Sequence, residues 1–102
     1  MRTKISSIHF KATDSLKEFA ETEVGRLNKL DDRILNCEIE FSYTKDDKKA
    51  HIQISLNGAV LNASETTDDF RKSTVLAVDK LEQQVKKLKG KLQAKRAEAD
   101  EE

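Results

Sequence analysis

DFRKSTVLAVDKLEQQVKKLKGKLQAKR, Asp69–Arg96, is the stretch that decides the fold. Phe70, Thr74, Ala77, Val78, Leu81, Val85, Leu88 and Leu92 recur at the three-then-four spacing of an amphipathic helix. Thr67 or Asp68 is placed to cap its start, because a short polar side chain there accepts from the first unpaired N–H groups. At 1.5 Å per residue such a helix is about 42 Å long. Its charge is lopsided. Arg71–Arg96 holds nine basic residues against Asp79 and Glu82, a net of +7.

At about 100° per residue, Lys80, Gln84, Lys87 and Lys91 fall within roughly 60° of one another, to one side of the apolar stripe. A lysine-rich helix face is often no more than a solvated face. The sharper reading is a row of cations at fixed height and pitch that meets phosphates.

Working outward from this helix, the chain reads as a sheet with a second helix. Met1–Ala12 has strand character, with Ile8, Phe10 and Ala12 alternating and Ile5 out of phase by one; a bulge near Ser6–Ser7 is expected to repair the phase. Thr13 is a good N-cap, and Asp14 suits the positive end of the helix dipole. The helix it opens runs to about Leu30 with Leu16, Phe19, Ala20, Val24 and Leu27 on its apolar face. Arg26 and Lys29 share one flank. Gly25 costs about 1 kcal/mol relative to alanine in such a helix, so close packing against the other helix is expected there.

Leu35–Thr44 alternates cleanly, with Cys37, Ile39, Phe41 and Tyr43 facing the core and Glu38, Glu40 and Ser42 facing away. Lys45–Lys49 is a charged turn, and Ala50–Asn57 alternates again through Ile52, Ile54 and Leu56. Asn57-Gly58 is the strongest hairpin signal in the chain, and Ala59–Ser64 gives a fourth strand. The element order is β-α-β-β-β-α, an α+β fold. Hairpins make the last three strands antiparallel, and a right-handed crossover makes the first two parallel. One apolar sheet face then carries two parallel helices.

One hundred and two residues make one domain, expected to span 1–96, followed by a disordered acidic tail, 97–102. The chain is neutral overall, yet residues 1–70 carry 10 basic and 13 acidic residues while the tail adds four carboxylates. This segregation points to a directed basic surface. A single cysteine excludes an internal disulfide and fits a reducing compartment. Neither a signal peptide nor a membrane span is expected, so the reading is cytoplasmic.

Catalytic constellations are thin. Alternation puts Cys37 on the core face and His9 and His51 on the other, so these soft ligands do not meet, and no metal, cofactor or small-molecule substrate is expected. Glu38, Glu40, His51 and Gln53 share an open face, but an open face is no pocket. The reading is of a protein that is not an enzyme. The sheet also lacks the exposed aromatics on which RNA-binding sheets stack bases. The helices remain. Their basic rows lie to the same rotational side of the apolar faces, so two parallel helices are expected to present Arg26, Lys29, Lys80, Lys87 and Lys91 as adjacent rails on one surface, touching phosphates rather than base edges.

The stretch NGAVLNASETTDDFRKSTVLAVDKLEQQVKKLK resembles the signature region of the ribosome hibernation-promoting factors, also called protein Y or ribosome-associated inhibitor. The resemblance lies in Asn57-Gly58, Ala63-Ser64, Asp69-Phe70 and the run Asp79-Lys80-Leu81-Glu82-Gln83-Gln84, and extends to Thr13, Leu16 and Arg26-Leu27-Asn28-Lys29 in the first helix. It covers nearly the whole chain. It implies a fold akin to the double-stranded RNA-binding domain. It also implies a monomer that sits in the messenger and transfer-RNA channel of the small ribosomal subunit, stops translation and preserves idle ribosomes. The contacts to ribosomal RNA implied for this chain are Arg26, Lys29, Lys80, Gln84, Lys87 and Lys91. Gln83 stands where the family often has arginine, and Phe70 where tyrosine is usual. Long members carry a further C-terminal domain, so the resemblance is to the short form. Two rival readings stand beside it: a generic double-stranded RNA-binding module, and an interaction domain that modulates a transcription factor, a role that comes with the family resemblance.

Overall fold

The computed structural model describes residues 1–97, with side chains described through Lys89. The chain runs β1 (Arg2–Ile8), α1 (Asp14–Leu30), β2 (Ile34–Thr44), β3 (Asp47–Leu56), β4 (Ala59–Thr67) and α2 (Phe70–Ala97). The strands form one sheet in the order β1-β2-β3-β4. β1 and β2 are parallel, and the two hairpin pairs are antiparallel. The expectation of a disordered tail falls on residues outside the described range, except for Ala97, which lies in α2.

Local chemistry sets each boundary. Thr13 caps α1, its Oγ1 accepting from the Leu16 N–H at 3.1 Å. The cap of α2 lies one or two residues later than the sequence suggests: Asp69 Oδ1 accepts from the Arg71 N–H at 2.9 Å. Thr67 supports that turn instead, accepting from the Asp69 N–H at 3.0 Å and bonding the Ser73 hydroxyl at 2.7 Å. Asn57-Gly58 makes the β3–β4 turn between paired Leu56 and Ala59, with Gly58 at φ 84°. The charged β2–β3 turn is tighter than expected. Thr44 pairs with Asp47 around Lys45, which takes the left-handed conformation at φ 53°.

The phase problem in β1 is solved differently from the expected bulge. β1 stays in regular register with β2 from Arg2↔Asn36 to Ile8↔Ser42, so Ile5 faces the helices and Ile8 is exposed. The flip comes at His9, whose φ of 72° swings the chain so that Phe10 and Ala12 return to the core side. Ser7 Oγ donates to the Phe10 carbonyl across this corner at 2.7 Å. A bulge does occur in β2, between Ile34 and Asn36.

The core lies between one sheet face and both helices. Leu16, Ala20, Val24 and Leu27 of α1 and Ala77, Val78, Leu81 and Val85 of α2 are buried over Cys37, Ile39, Phe41, Ile52 and Ile54. Burying a large aliphatic or aromatic side chain contributes roughly 1.5–3 kcal/mol, so these positions fix where both helices lie. Gly25 does not mediate close approach: a Cβ placed there meets nothing within 4 Å. Tyr43 is the exception in the β2 alternation. It lies past the end of the core and is 42% exposed.

Candidate nucleic-acid interface

The charged side chains of the helices divide into three settings. On the outer flank of α2, over the β4 edge, Lys80 ion-pairs with Glu65 of β4. One turn on, Gln84 Nε2 donates to the Asn62 carbonyl of β4 at 2.9 Å. These contacts lie on the β4 side of α2, whose rotation is set by the buried Ala77, Val78, Leu81 and Val85. Lys87, a further turn along, is exposed and has no ion-pair partner among the described residues. The backbone of Lys91 continues the row within α2, but its side chain lies outside those described.

The second setting is the groove between the helices. Arg26 of α1 reaches Glu23 of its own helix at 2.8 Å and Asp79 and Glu82 of α2 at 2.9 Å each. Hydrogen bonds to Glu23 first, then to Asp79 and Glu82, raise its proton affinity further above that of a free guanidinium. The sequence carried a signal for this network: Asp79 and Glu82 are the only acids in Arg71–Arg96 and stand one turn apart. Its meaning needed the position of α1.

The third setting is the solvent crest. Lys29 of α1 is exposed and unpaired among the described residues, as are Gln83 and Lys86 of α2. Lys89 turns inward instead, its Nζ donating to the Leu30 carbonyl at 3.0 Å and so satisfying the C-terminal end of α1. Just beyond, Arg33 pairs with buried Asp31 at 2.7 Å. That guanidinium is the main reason the Asp31 pKa falls to about 2.

The rows do not form the single continuous surface expected from the sequence. Both are displaced in the same rotational sense, and on parallel helices over one sheet the same sense means the same lateral direction. The α1 row therefore points toward α2, and the α2 row points away from α1. Arg26 ends among carboxylates in the groove, while Lys80 and Gln84 line the far flank. Lys29 and Lys87 remain open to a partner that lies across both helices.

The remaining reactive groups are set apart. Cys37 is fully buried on the helix side of β2, and burial, with Glu38 adding to it, pushes its thiol up to about 12. His51 is on the opposite face, paired in register with Glu40. Among the described residues no three of His, Cys, Asp and Glu gather to hold a metal ion. No helix among them is long and apolar enough to cross a membrane.

A sequence model of the family described as sigma 54 modulation protein / S30EA ribosomal protein matches residues 3–93. The ribosome hibernation promoting factor of Azotobacter vinelandii is 29% identical over 91 residues, covering 89% of this chain and 85% of that protein. The ribosome hibernation promotion factor of Bacillus subtilis is 25% identical over 98 residues, covering 93% of this chain but 52% of that protein, so this chain spans about half its length. Among solved structures, a ribosomal subunit interface protein from Coxiella burnetii superposes with a TM-score of 0.83 at 29% identity, over 88% of this chain and 99% of that one. The N-terminal domain of Thermus thermophilus Protein Y gives 0.80 at 28% identity, over 86% and 99%.

Proposed function

The chain belongs to the sigma 54 modulation protein / S30EA ribosomal protein family, and on that premise we propose that it is a ribosome hibernation factor. It binds the ribosome, inhibits translation and preserves idle particles under stress. It acts by occupancy in the cytoplasm, with no chemical step. Its site is the messenger and transfer-RNA channel of the small subunit, where Lys29, Lys80, Lys87 and Lys91 meet ribosomal RNA phosphates. Gln84 holds α2 in register on β4, and Arg26 sets the distance between the helices.

The observation that carries this reading is the exposed Lys29, Lys80 and Lys87 on two helices whose spacing and rotation are fixed by their buried faces. A surface ion pair such as Lys80–Glu65 is worth at most about 1 kcal/mol, so a phosphate can displace the carboxylate. Each phosphate neutralised also releases condensed counterions, which makes such binding favourable at low salt and steeply salt-dependent.

Co-sedimentation in a sucrose gradient tests the proposal. The protein is expected in the small-subunit fractions at low salt and to leave them as salt rises. Recovery with free duplex RNA but not with subunits would instead identify a generic RNA-binding module. Recovery with polymerase alone would identify a transcription modulator.

A further inference from the structure

The two edges of the sheet are finished differently. The β4 edge lies under α2, where Gln84 donates to the Asn62 carbonyl at 2.9 Å and Lys80 pairs with Glu65. The β1 edge has no such cover. β1 pairs with β2 on one side only, in regular register over its seven residues. No hydrogen bond from a described residue reaches its other side. A bare, regular strand edge is a template for a further strand, and proteins usually blunt one with a bulge, a proline or an overlying element.

The pairing also says which groups are free. Along a strand, the N–H and C=O of one residue turn to one neighbour and those of the next residue to the other. The Asn62 carbonyl points out of the sheet, so its partner Gln53 turns to β2 and bonds Glu38. Cys37 and Ile39 then turn to β1. Ile39 lies opposite Ile5, and a parallel ladder bonds it to the residues on either side, Lys4 and Ser6. Thr3, Ile5 and Ser7 therefore hold their N–H and C=O groups outward.

The outer flank of α1 runs above this edge. Thr3 and Ile5 share a groove with Asp14, Lys17, Glu18 and Glu21. The three carboxylates are exposed, and none has an ion-pair partner among the described residues. Arg2 and Lys4 lie on the opposite face of the sheet, in register with Asn36 and Glu38. Successive side chains of an added strand would thus meet carboxylates on the helix face and cations on the open face.

We propose that the β1 edge takes an extended basic peptide as an added strand, with lysine or arginine at every second position facing Asp14, Glu18 and Glu21. Main-chain bonds to Thr3, Ile5 and Ser7 supply the affinity, and the acidic flank selects the partner and its register. A second copy of this chain fits less well, because pairing β1 with β1 sets two acidic flanks side by side. RNA is repelled by the same carboxylates. The proposal goes beyond the ribosomal reading and does not depend on it, since this edge is at the far side of the sheet from Lys80 and β4.

The test uses two labelled peptides of about eight residues, read by anisotropy against the full chain. One alternates lysine and threonine; the other holds the same residues as a block of lysines followed by a block of threonines. The alternating peptide is expected to bind roughly tenfold more tightly, the margin of one or two main-chain hydrogen bonds. N-methylation of the alternating peptide at every lysine, and separately at every threonine, is expected to remove that margin in one set and spare it in the other. Only one set aims its N–H groups at β1. Thr3→Pro deletes an outward N–H and no ladder bond, so it is expected to lose the margin while melting close to the wild type. Equal affinity for the two arrangements, or an equal effect of the two methylated sets, overturns the proposal. So does a self-associated chain that Thr3→Pro returns to the monomer, which would give the edge to a second copy. The methylated peptides meet the wild-type chain, so the proposal is decided even where Thr3→Pro fails to fold.

Discussion

Arg26 Nη2 of α1 lies 2.9 Å from Asp79 Oδ1 of α2, so the arginine expected to meet phosphates also ties the two helices together. Glu82 shares the same nitrogen and Glu23 takes the other. With its side chain 37% exposed, the guanidinium sits in a network that water screens in part.

Replacing Arg26 with methionine is therefore expected to cost about 1 kcal/mol and to lower Tm by roughly 4–8 °C. The salt dependence of ribosome binding should stay within a few tenths of the wild-type slope. A slope shallower by about one unit would show that Arg26 neutralises a phosphate directly.

Gly25→Ala should act in the opposite direction. Space is open around the position, and no left-handed φ requires glycine there. Alanine restricts the unfolded chain and favours the helix, so the variant is expected to gain about 0.5–1 kcal/mol. A fall in Tm would reveal a close contact at Gly25 made only in a state other than this one.

Asp31 gives a pH signature. Its folded pKa, lowered to about 2 chiefly by Arg33, lies below the ordinary value of 3.8. A depressed carboxylate contributes stability that is present above the unfolded pKa and lost as pH falls through the folded one. Since Arg33 is half exposed, the contribution is discounted to about 1–2 kcal/mol. Asp31→Asn should be less stable than wild type by that amount above about pH 4, with the gap closing between about pH 4 and 2. A pH-independent gap would mean that packing, rather than charge, sets its cost.

Much of the fold was legible because local chemistry and periodicity agreed. Thr13, Asn57-Gly58 and the alternation through Cys37, Ile39 and Phe41 each marked an element that formed where expected. What failed was what sequence spacing cannot carry. The left-handed turn at His9 has no glycine to announce it. Asp69 displaced Thr67 and Asp68 as the cap because all three are suitable cap residues, and only the tertiary path chooses among them. Tyr43 kept its side of the sheet but outran the core. At the interface, rotation about each helix axis was readable from position, but which flank faced the neighbouring helix was not. Arg26 therefore looked like a member of one continuous row until Asp79 and Glu82 were seen against it.

Gln83 is an exposed neutral residue on the crest of α2, about one turn from Lys80 and from Lys87 on the neighbouring flank. Gln83→Arg is expected to tighten ribosome binding and to steepen the salt dependence by somewhat under one unit of log K per log salt, as one added phosphate contact requires. An unchanged slope and affinity would place position 83 in solvent in the complex.

The central claim is that lysines on the helices, rather than net charge, hold the ribosome. Lys29, Lys87 and Lys91 are reversed together to glutamate; Lys80 is spared because glutamate there would face Glu65. The control reverses Lys4, Lys45 and Lys49, an equal change of charge on the sheet and its hairpin. Both variants are sedimented with small subunits at physiological salt, where charges more than about 8 Å away are largely screened. The helix variant is predicted to stay at the top of the gradient while the control travels with the subunits. Equal loss in both variants would contradict the account.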